Sequence, residues 1–234
     1  WKHIGKTFTF GYKNCDSDFV IRFDCDYLLH EDDFDAIREF LETCDAPVAC
    51  FPKRQFLKAD RYSVKAILPI AYNKKEYGNR IKLDSGGDLC QPSLDGKEIN
   101  KDEMPIVARK IPTVVAPNVT QEQKEKRLGR AFIENGITYT YGEFIPIFNY
   151  ECLIKERDVQ AKEFYRFARA WGRTFGENMM GIDSEEKALE KFLQMQVGRY
   201  NSTENRIVKL EEHPRFIQQT IKNLKPENFG FNGW

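Results

Sequence analysis

The sequence predicts an α/β fold whose last third is helical. Three observations carry this. Apolar runs of strand length flank a helix-period segment between residues 18 and 72. The final third repeats apolar residues every three or four positions. Between them, residues 84–116 are rich in Gly and Pro but keep too many apolar side chains for a disordered linker.

Each element follows in order. "DFVIRF" (18–23) is short, β-branched and aromatic, and apolar on both faces apart from Arg22, which predicts a buried strand. "EDDFDAIREFLE" (31–42) places acids in a first turn and Phe34, Ile37 and Leu41 at helical spacing. "PVACF" (47–51) and "VKAILPIAY" (64–72) read as further strands. Residues 84–116 read as an ordered loop region with short strands. "QEQKEKRLGRAFIENG" (121–136) reads as a polar helix stopped by Gly136, and "EFIPIFNY" (143–150) as a strand. Residues 157–176 put Phe164, Phe167, Ala168, Trp171 and Phe175 on one helix face, with Lys162, Arg166, Arg169 and Arg173 opposite. Residues 184–200 begin with a Ser cap followed by acids. Residues 213–224 form a last helix, with Pro214 near its start and Pro226 beyond its end. The organisation expected is a domain over 1–150 and a helical region over 151–234 packed on it.

Composition narrows the function classes. Thirty-six basic and 36 acidic residues cancel, so attraction to nucleic acid or a membrane surface would have to be local. No run approaches the ~18 consecutive apolar residues of a membrane span. The first residues carry neither an apolar run nor a small-residue cleavage site, so no signal peptide is expected. The six cysteines show neither CxxC nor zinc spacing, and reduced thiols in a cytoplasmic protein are expected. The sequons at Asn118 and Asn201 then carry no glycan.

Asp24 and Asp26 hold the chemistry of interest. Asp16/Asp18 and Asp33/Asp35 are also DxD pairs, but only Asp24/Asp26 follows an apolar strand directly. In extended chain, residues i and i+2 point to the same side. Two carboxylates there can share one Mg²⁺ or Mn²⁺, which would bridge the phosphates of a nucleotide. The same residues also read as a polar strand exit before a helix. A haloacid-dehalogenase-like phosphatase, with Asp24 as nucleophile, is an alternative, although "YLLHEDDF" replaces its usual Gly/Thr turn.

"SDFVIRFDCDYLLHEDDFDAIREFLE" resembles the nucleotide-sugar half of a family 2, GT-A-type glycosyltransferase. "YRFARAWGRTFG", "NKKEYGNRIKLDSGGDLCQPSLDGKEI" and "HPRFIQQTIKNLKPENFGFN" are similar to segments of bacteriophage members of that group. The resemblance implies a GT-A-like (Rossmann-like) mixed sheet and an enzyme that moves a sugar from a nucleoside-diphosphate sugar to an acceptor hydroxyl, with inversion. The acceptor would be a glycan, a lipid-linked glycan or a modified DNA base, met in the cytoplasm (the host's, if the chain is viral). It implies Asp24 and Asp26 as ligands of Mn²⁺ or Mg²⁺, with His213 as a third. It implies Glu151 as the base that takes the acceptor proton, with Glu143 as runner-up. Arg22, Asp24, Gly86, Gly87, Asp88, Arg169 and Trp171 would contact the donor or the acceptor channel. The residues 85–88 also read as a hairpin turn, and the arginine face also reads as a solvated surface or a clamp for a polyanion. Only some twenty residues precede Asp24, too few for the strands that hold the base in such a domain, so a C-terminal part of a longer product is expected.

Overall fold

A computed structural model of the chain describes residues 2–86, 90–112, 131–134, 137–150, 184–200 and 206–223. It also describes Ile182 and six helical positions between 159 and 169. The fold is mixed α/β, with five named α-helices among the described residues. The chain forms two compact units. One holds residues 1–25, 31–53 and 66–147, and the other holds 26–30, 54–65 and 148–234. Each unit is built from three separate segments of the chain.

In the first unit, β1 (Phe19–Ile21) pairs antiparallel with the end of β4 (Arg61–Asn73), Phe19 opposite Asn73 and Ile21 opposite Ala71. A two-residue turn makes β4 the hairpin partner of β3 (Val48–Lys58). Hence β1 and β3 run the same way with β4 between them. The segment from β1 through α2 (Phe34–Glu42) to β3 is a crossover, but a split one. The strand pairs are antiparallel, and the one isolated parallel bridge described joins Cys50 to Ile106. Long strands won over short ones because 48–58 and 61–73 can satisfy each other through a tight hairpin.

Val20, Val48, Cys50 and Tyr72 pack with Tyr12 and Phe8 of α1 (Lys2–Asn14) and with Ile81 and Leu83. Helix α1 is not among the elements expected from sequence. Packing overrides propensity there: Phe8 and Tyr12, one helical turn apart, face the core. Lys74 Nζ, from α3 (Lys74–Tyr77), caps the end of α1 through the carbonyls of Tyr12, Lys13 and Cys15. Helix α2 buries Ile37, Phe40 and Leu41. Two small antiparallel sheets complete the unit. One joins β5 (Ile81–Ser85), β6 (Gln91–Leu94) and β7 (Lys97–Glu98). The other orders β8 (Ala108–Pro112), β10 (Ile137–Phe144) and β9 (Ala131–Glu134). Strand β9 corrects the helix expected over 121–136 at its C-terminal end; 113–130 lie outside the described residues.

In the second unit, β2 (Tyr27–Leu28) pairs with β11 (Ile147–Asn149), Leu28 opposite Phe148 and Tyr27 opposite Asn149. β12 (Arg206–Ile207) pairs with the start of β4. The core gathers Phe56, Tyr62, Phe148, Tyr150 and Val208 with Ile217 and Ile221 of α5 (Arg215–Asn223). Ser184 caps α4 (Glu185–Tyr200) as expected, its Oγ accepting from Lys187 N at 3.2 Å.

Candidate functional site

The segment 22–30 shows where the two carboxylates go. Arg22 N bonds Ile70 O, the last link of the β1–β4 ladder. Beyond it the chain leaves the strand, turns at Cys25 and Asp26, and re-enters a sheet as β2. The extended geometry expected for Asp24-Cys25-Asp26 is thus replaced by a turn, and the alternation that would aim both side chains one way does not apply.

Each carboxylate has its own seat. Asp24 Oδ1 lies 3.8 Å from Arg22 Nε. Arg22 is itself nearly buried, donates from Nη1 to Cys90 O at 3.0 Å and lays its guanidinium 4.9 Å over the Phe8 ring. Arg22 is therefore an orienting cation for Asp24. In the second unit, Asp26 Oδ2 accepts from Asn149 Nδ2 at 2.5 Å. Asn149 is fully buried on β11, and its Oδ1 has no hydrogen-bond partner among the described residues. A carboxylate beside an unsatisfied amide oxygen is the oxygen-rich chemistry that a hard cation takes. Among the described residues, no group of three His, Cys, Asp or Glu side chains is placed to hold a metal ion. Asn149 was invisible to sequence reasoning because a lone Asn at the end of an apolar strand reads as a strand terminator.

His213 sits elsewhere in the second unit. It is fully buried, and both ring nitrogens are engaged. Nε2 lies 2.8 Å from Ala59 O, and Nδ1 lies 2.8 Å from Tyr150 Oη. The Ala59 carbonyl can only accept, so Nε2 carries the proton and the Tyr150 hydroxyl donates to Nδ1. Burial holds the imidazole below its ordinary range, while the Ala59 hydrogen bond works the other way. The ring also packs 4.7 Å from Phe56, which stacks on Tyr150 and Phe148. Arg54 lies over Tyr62 and Phe148 at 4.8 and 5.6 Å. Successive strand residues face opposite ways, so Phe148 and Tyr150 turn from the face to which Asn149 points. His213 thus belongs to a locked aromatic core, not to the face of Asp26.

The remaining expected residues scatter. Glu143 on β10 is largely exposed, 3.9 Å from Arg109 Nε. Arg109 in turn grips the buried Asp33 at 2.5 Å, an ion pair not anticipated from sequence. Gly86 has φ of +72° just after β5. β5 pairs antiparallel with β6, Ile81 opposite Leu94. Gly87 and Asp88 lie outside the described residues, as do Glu151 and Trp171. Arg169 is exposed and reaches Tyr165 Oη at 3.5 Å, with its guanidinium 5.7 Å from that ring.

No protein-family model, curated protein or solved structure matches the chain.

Proposed function

We propose that the chain is a metal-dependent glycosyltransferase of the GT-A type, acting on a nucleoside-diphosphate sugar. The observation that carries the reading is the seat of Asp26: a carboxylate pinned by Asn149, next to a buried amide oxygen left over. Asp26 would hold Mn²⁺ or Mg²⁺. When bound, the cation offsets charge as the diphosphate leaves. Arg22 fixes the Asp24 carboxylate. Glu151, two residues beyond Asn149 in the chain, takes the acceptor proton, with Glu143 as the second candidate base. Direct attack by the acceptor hydroxyl inverts the anomeric centre. The acceptor is a glycan, a lipid-linked glycan or a modified DNA base, and the reaction belongs in the cytoplasm. No helix among the described residues is long and apolar enough to cross a membrane. His213 is left out of the metal site, because both its nitrogens serve the second unit's core.

The experiment is release of nucleoside diphosphate from a panel of UDP- and GDP-sugars with Mn²⁺, with and without chelator. Metal-dependent release that vanishes in Asp26→Asn supports the reading. Release that survives chelation or the substitution overturns it.

A further inference from the structure

Among the described residues, strand β1 lies at an edge of its sheet and pairs with β4 alone. Arg22 N bonds Ile70 O and Lys75 N bonds Asp18 O, so positions 18, 20 and 22 spend their backbone groups inward. Phe19 and Ile21 therefore turn their N–H and C=O groups outward. An unblunted edge of Phe, Val and Ile is a template for another strand, and natural proteins usually protect such edges with Lys, Pro or a bulge. Beside it lies an open cleft of about 360 Å³, floored by Phe19, Ile21, Ile37 and Leu41 and flanked by Phe34, which is 52% exposed.

We propose that this edge joins a second copy of the same chain, β1 to β1 and antiparallel, making one continuous sheet across a two-fold axis at Val20. Two features select a copy over an unrelated peptide. The outward groups are self-complementary: with the axis at Val20, Phe19 bonds the partner's Ile21, and Ile21 bonds the partner's Phe19. The rim also carries both signs at its two ends, with Asp18 at one end of β1 and Arg38 toward the other. Asn73, opposite Phe19, donates to Cys44 O just past α2, so α2 runs antiparallel to β1. Arg38 hence lies toward the far end of β1 from Asp18, and two-fold pairing brings the partner's Arg38 to Asp18. Closure is isologous, so growth stops at the dimer.

Sedimentation velocity over a wide dilution series tests this. The wild type is expected to dimerise. Asp18→Lys and Arg38→Glu, both at exposed positions, are each expected to weaken the dimer at least about tenfold through like-charge contacts. The double variant D18K/R38E is expected to restore it. A wild type that is monomeric at every concentration overturns the proposal, as does a dimer that neither single reversal weakens. A monomer that instead captures an extended peptide at this edge also overturns it.

Discussion

Asn149 holds Asp26 by an Nδ2–Oδ2 hydrogen bond of 2.5 Å, and the same amide leaves its Oδ1 buried without a partner among the described residues. The contact links residues 123 positions apart in the chain and fixes the turn that leads into β2.

That asymmetry makes a stability prediction. Asp26→Ala strands a buried amide donor and is expected to cost about 1–3 kcal/mol. Asn149→Leu removes a donor together with an oxygen that already lacked a partner, and leaves Asp26 partly open to water. Its cost is expected to be smaller, under about 1 kcal/mol. Urea unfolding of the two variants in metal-free buffer gives the order. A larger loss in Asn149→Leu would mean that Oδ1 is satisfied.

The Tyr150–His213–Ala59 chain makes a pH prediction. The folded state holds His213 below its ordinary value of 6.5, chiefly through burial. Glu212 pulls the value up, whereas Arg54 and His30 push it down. The unfolded state therefore takes up the proton first. The stability contributed is complete above about pH 6.5 and is lost as pH falls below it toward the folded value. Urea unfolding at about pH 7.5 and about pH 5.5 is expected to show a drop in the wild type that His213→Gln reduces. An equal drop in both would assign the acid sensitivity to other groups.

Two ion pairs are expected to behave differently. Asp33 is 4% exposed and its partner Arg109 is one-third exposed. Arg109→Ala leaves a buried carboxylate without its main cation and is expected to cost about 2–3 kcal/mol. Arg80 and Asp95 are each more than half exposed despite a 2.6 Å contact. Arg80→Ala is expected to cost far less, and that small cost to shrink with added salt. Thermal unfolding at low and high salt separates the two.

Much of the fold was legible where one face decides the element. Helix α2 was readable because Ile37 and Leu41 repeat at helical spacing, and the Ser184 cap was readable from its own chemistry. The direction of the strands was not, because the hairpin of β3 and β4 is written in a two-residue turn, Ala59-Asp60, with no Gly or Asn to mark it. Helix α1 was hidden because its stability comes from Phe8 and Tyr12 packing against Tyr72 and Val48, not from propensity. Asp26 is singled out by its DxD motif, whereas Asn149 is not, since what makes Asn149 special is a contact across 123 residues. His213 looked open from sequence because nothing local reveals Tyr150 Oη and Ala59 O as its partners.

The proposed function requires Asp26 to carry a cation for a nucleotide. Thermal unfolding with Mn²⁺ plus UDP or GDP, on wild type and on Asp26→Asn, tests it most directly. The substitution keeps an acceptor for Asn149 Nδ2 while removing the charge, so the fold is retained. Ligand at about a hundred times its dissociation constant adds about 2.7 kcal/mol, a rise on the order of 5–10 °C in a chain of this size. The account predicts that rise in the wild type, only with metal, and its loss in Asp26→Asn. No rise with either nucleotide, or the same rise in both proteins, would contradict it.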